Sequence, residues 1–102
     1  MAGETSSADS NSNPVIPFPT LTILYMPEEA AAAVDEVSKK YSNSTVEDCV
    51  GFFHGTTRQY KKITIWSQGI DSLWLNAIVA RIKELASVEF VTLVSGGMMY
   101  VL

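Results

Sequence analysis

The residue types best suited to chemistry gather in one stretch, FFHGTTRQYKK (52–62), where the single histidine, His54, stands among Thr56, Thr57, Arg58, Lys61 and Lys62. Arg58, Lys61 and Lys62 are three of the seven basic residues of an acidic chain. Together with exposed glycine and threonine backbone groups, they are the kind of set that surrounds a phosphate or a carboxylate. Catalysis would ask more of His54: a nucleophile or an orienting carboxylate within reach, with Glu47, Asp48, Thr56 and Thr57 the nearest in sequence. No spacing imposes that partnership, so no catalytic residue is assigned. The same composition also describes a hairpin turn whose charges keep a strand from pairing with other chains.

Other chemistries are excluded more firmly. A lone cysteine, Cys49, rules out an internal disulfide and any multi-cysteine zinc site, and it reads as a small apolar residue. One histidine and one cysteine five positions apart do not make a ligand set, so no metal and no cofactor is expected. The formal charge is −4, of which Glu4 and Asp9 supply two units. That balance argues against a nucleic-acid binder, which would carry a clustered positive surface. No apolar run approaches a membrane span, and the beginning lacks the apolar core of a secretory signal. A cytoplasmic or nuclear protein is expected, with Asn43-Ser44-Thr45 a chance match to a glycosylation acceptor.

The elements that must position these residues are legible from pattern. MAGETSSADSNSN (1–13) has no aromatic or branched aliphatic side chain and reads as a disordered tail. PVIPFP follows as a proline-rich strap, which places one domain over 19–102. TLTILYM (20–26) is a strand. Pro27-Glu28-Glu29 opens a helix whose stripe is Ala30, Ala33, Val34, Val37 and Tyr41, braced by Asp35–Lys39 and Glu36–Lys40 pairs. VEDCVGFFHG (46–55) and YKKITIWS (60–67) are strands about a GTTRQ hairpin, with Ile63 and Ile65 facing one way and Lys62, Thr64 and Trp66 the other. SLWLNAIVARIKELAS (72–87) is the clearest helix, presenting Leu75, Ile78, Val79, Ile82 and Leu85. VEFVTLV (88–94) is a strand, and after Ser95-Gly96-Gly97 the MMYVL ending is a candidate fifth. The order β-α-β-β-α-β fits a ferredoxin-like α+β sandwich: an antiparallel sheet with both helices on one face.

Such a sandwich covers one sheet face, yet these strands are apolar on both. Phe52, Phe53, Trp66, Phe90, Met98 and Tyr100 exceed what a one-sided core needs, so they mark an interaction surface. KKITIWS followed by a helix and SVEFVTLV is also similar in arrangement to the inhibitor and propeptide family of subtilisin-like proteases. That resemblance implies docking of the sheet on a protease, with the SGGMMYVL tail laid in its active site. Three functions follow. The first is a non-catalytic, self-associating or assembly module acting through a sheet face or edge, as a homodimer or with a protein partner. The second is a small enzyme or anion-binding domain built on the 54–58 loop, and the third a protease-inhibitor-like domain.

Overall fold

The computed structural model describes residues 15–53 and 55–102, except for the side chain of Phe53. The tail expected over residues 1–13 and the histidine at 54 lie outside the described residues. The described residues form an α+β fold: a five-stranded, wholly antiparallel sheet with two helices. Strand β1 spans Thr20–Pro27, and a 3-10 turn (Glu28–Ala33) leads into helix α1 (Val34–Lys40). Strands β2 (Ser44–Phe53) and β3 (Thr56–Ser67) form a long hairpin. Helix α2 (Ser72–Ala86) precedes β4 (Thr92–Ser95) and β5 (Met98–Val101). Across the sheet the order is β2-β3-β1-β4-β5.

Strand alternation decides where the core sits. Leu24 pairs with Ile63 and with Leu93, and Thr22 with Ile65, so these residues share one face. Leu24, Met26, Ile63, Ile65 and Leu93 join Ala30, Ala33 and Val37 from the first helical segment and Ile78, Val79, Ile82 and Ala86 from α2 in one buried cluster. The alanines let the 3-10 turn lie close to the sheet, while the branched aliphatics of α2 fill the remaining depth. Among the described residues Thr22 is a trapped polar group there: it is 1% exposed and its Oγ1 meets no described hydrogen-bond partner.

Both helices are oriented by polar contacts at one end. Asp71 Oδ1 accepts from the backbone N–H groups of Leu73 and Trp74 at 3.0 and 3.1 Å, capping α2. Those amide bonds, Trp74's first, hold the Asp71 carboxyl below its usual range despite some desolvation, and Lys40 adds to the effect. The Tyr41 hydroxyl accepts from the Asp71 N–H at 2.8 Å, and the Tyr41 ring meets Trp74 edge-on at 5.0 Å, tying the end of α1 to the start of α2.

Several boundaries differ from the sequence pattern. The first helix begins as a 3-10 turn, and its charges bridge outward: Glu36 pairs with Arg81 at 2.6 Å and Lys40 with Asp71 at 3.7 Å, in place of the expected i,i+4 pairs. Cross-strand pairing runs to Phe53–Thr56, so Thr56–Gln59 are strand residues and, of the expected GTTRQ turn, Gly55 alone lies outside the ladder. Leu85 is 37% exposed and Ala86 takes its place in the core. The strand expected from residue 88 begins at Thr92, although Val91 already exchanges backbone bonds with Leu102. The apolar ending is indeed a strand, closed by a two-residue turn in which Gly96 and Gly97 both take positive φ, +61° and +77°.

Candidate functional site

The described strand residues of the 52–62 stretch, Thr56–Lys62, do not share one face, because a strand sends alternate side chains to opposite faces. In register, Gly51 pairs with Arg58, Glu47 with Lys62, Asp48 with Lys61 and Phe52 with Thr57. Thr56, Arg58, Tyr60 and Lys62 therefore point away from the helices, on the face of Trp66, whereas Thr57 and Lys61 point to the helix side. Lys61 is bound to Asp48, and that hydrogen bond and charge hold the ammonium above its ordinary pKa. The anion set read from sequence is thus divided. Cys49 is half-buried beside Tyr60 on β2, with its thiol free.

One part of it does line a cavity. A hollow of about 540 Å³ opens where β1 ends and β3 begins on the face away from the helices, walled by Tyr25, Tyr60, Phe90, Val88, Thr92 and Arg58, with Thr56, Ser87, Glu89, Pro27 and Val101 completing it. Arg58 Nη2 donates to Glu29 Oε1 at 3.3 Å. The Glu29 carboxyl is held below its usual range, by its own backbone N–H first and then by Arg58. Arg58 Nε is buried and meets no acceptor among the described residues, so one donor of this cavity-lining side chain is unspent. Gly51 permits this wall: a Cβ there would lie 2.6 Å from Cε2 of Tyr60, so the ring rests on bare backbone beside Arg58. Among the described residues no group of three His, Cys, Asp or Glu stands close enough to hold a metal ion. No described helix is long and apolar enough to cross a membrane.

The larger feature is the face itself. Leu21, Ile23, Tyr25, Trp66, Val94, Met99 and Val101 all point away from the helices, as their pairings across the sheet require. Trp66, Met99 and Val101 are 47%, 67% and 58% exposed. The described part of the strap does not shelter them. Its Val15, Ile16 and Phe18 are themselves exposed, and its polar tie to the domain is a 3.4 Å bond from Gln68 Nε2 to the Pro17 carbonyl. Nor does the chain's ending fold over the face, because β5 extends the sheet edgewise.

The six residues expected to form an interaction surface are dispersed. Trp66 and Phe90 lie on the open face, Met98 and Tyr100 share the helix side of β5, and Phe52 is exposed at the far end of β2. The side chain of Phe53 is outside the description. Sequence reading missed Leu21, Ile23, Val94, Met99 and Val101 as a continuous patch. The signal was available in Trp66 facing opposite to Ile63 and Ile65, had that alternation been carried across every strand. Comparisons with known protein families, with curated proteins and with solved structures find no match.

Proposed function

We propose that this chain is a non-catalytic interaction module that self-associates, or joins an assembly, through the uncovered side of its sheet. The observation that carries the reading is the apolar face of Leu21, Ile23, Trp66, Val94, Met99 and Val101, which no described segment of the chain covers. Exposed apolar surface of this continuity is costly in water and is the common signature of a contact surface. The finer ferredoxin-like arrangement belongs to the same proposal. It is supported by β1 and β3 lying inside the sheet with β2 and β4 flanking them, β5 being an addition at the edge. An experimental structure with the helices on opposite faces would remove it. Light scattering after size exclusion tests the function: a particle of twice the chain mass or more is expected, and a monomer that binds no apolar dye would sink the proposal.

A second reading is favoured by the unpaired Arg58 Nε: the cavity takes a small carboxylate with an apolar body, the anion on Arg58 and the body against Tyr25, Tyr60 and Phe90. Benzoate is a suitable probe. It should raise the melting temperature of the wild-type chain and leave Arg58→Gln unmoved. Equal behaviour of the two proteins would discard the site. The inhibitor-like reading finds less support, since the ending it needs as a free tail is paired to β4 through Met98–Val101.

A further inference from the structure

The two sheet edges give the proposed association a geometry. On β5 the four residues Met98, Met99, Tyr100 and Val101 are all exposed, uncharged and apolar. Edge strands ordinarily carry charge, proline or a bulge that discourages pairing, and this one has none. The opposite edge, β2, does carry such protection in Glu47 and Asp48.

The hydrogen-bond phase of β5 follows from its neighbour. Val91 and Leu102 exchange both backbone bonds, at 3.1 and 2.9 Å. In an antiparallel ladder every second pair repeats that relation, so Leu93–Tyr100 and Ser95–Met98 do the same. Tyr100 and Met98 therefore spend their N–H and C=O groups on β4. Met99 and Val101 point theirs outward, where no described strand receives them.

Resting on the self-association reading, we propose that β5 pairs with β5 of a second copy of this chain, antiparallel about a two-fold axis through Tyr100. Only the outward-pointing residues can supply hydrogen-bonded pairs. The register that uses both of them sets Met99 opposite Val101 of the other copy and Val101 opposite its Met99, making four main-chain bonds. Tyr100 then faces its own copy in a non-hydrogen-bonded position on the helix side, a close pair suited to aromatic contact. On the open face Met99 and Val101 meet across the axis, so the apolar patches of the two sheets become one. Charge favours this occupant: β5 brings no like charges together, while β2 laid against its own copy would crowd carboxylates.

Cross-linking and one proline decide the matter, in a Cys49→Ser background. Tyr100→Cys should form a disulfide-linked dimer under mild oxidation, whereas Met99→Cys should not, because residue 99 is diagonal to its own copy and too distant to bridge. Val101→Pro removes an N–H that points outward, so the folded chain loses no bond to β4 and circular dichroism should be unchanged. Its dimer should weaken roughly tenfold or more through the loss of two main-chain bonds. A wild-type dimer that survives Val101→Pro, or whose residue 100 fails to cross-link, overturns the β5 pairing and leaves association through the open face standing. A wild-type monomer at every concentration overturns the self-association reading along with it.

Discussion

Ile65 and Trp66 are consecutive on β3 and end in opposite surroundings: Ile65 is 1% exposed beneath the helices, and Trp66 is 47% exposed on the far side of the same sheet. The difference runs the length of the sheet. On the helix side Leu24, Ile63, Ile65 and Leu93 are sealed, and their burial supplies the hydrophobic drive to fold. On the other side Ile23, Val94, Met99 and Val101 are of the same chemical kind, yet fold formation alone does not use them fully. On the proposed reading, similar residues on two faces have two tasks, stability of the monomer and contact with something outside it.

The largest effect that separates the faces is expected at Ile65. Ile65→Ala should lower the unfolding free energy by about 2–5 kcal/mol, since it deletes packed atoms that the fold cannot replace. Thr22→Val should act in the opposite direction on the same face: relieving a buried hydroxyl without a partner should stabilise by about 1–3 kcal/mol. Urea unfolding measures both, and a destabilised Thr22→Val would mean that the hydroxyl has an acceptor after all. Trp66→Ala should cost about 1 kcal/mol or less in dilute solution, as surface substitutions do, with the loss growing as protein concentration rises. A cost equal to that of Ile65→Ala and independent of concentration would show that the monomer already buries Trp66, and the contrast of faces would collapse.

The smallest effect is electrostatic and does not depend on the apolar packing of either face. The Asp71 carboxyl titrates below its ordinary value of 3.8 in the folded chain. Its contribution is therefore present above that value and is lost as pH falls through the lower folded pKa. The carboxyl of Glu29 behaves in the same sense from its ordinary 4.5. Lys61, raised above 10.5, contributes below that pH and loses its contribution as pH climbs through the higher folded value. Thermal melts should thus decline modestly at both extremes. Asp71→Asn, which keeps a capping oxygen and removes the charge, should flatten the acid limb slightly; an unchanged limb would assign it to other carboxylates.

How much was legible can be judged residue by residue. Helix α2 was readable because Leu75, Ile78, Val79 and Ile82 repeat at helical spacing within residues 72–87, and the helix runs from Ser72 to Ala86. The apolar excess was equally plain, for it needs only counting against the area two helices can cover. The hairpin was misjudged by four residues, since Thr56–Gln59 have turn-like composition but are held in the ladder by the facing β2 backbone. For the same reason the basic cluster looked like one site. Neighbours in sequence are the worst guide to neighbours on a strand.

Sequence by itself determined most of the element types, most residues of the core stripe and the surplus of apolar side chains, because these depend on local periodicity and composition. Tertiary structure alone decided that Arg58 and Lys61 part to opposite faces, that Tyr60 lies over Gly51, and that Met99 and Val101 aim their backbone outward. Those facts depend on strand order and register, which pair residues far apart in the chain and which no local pattern records.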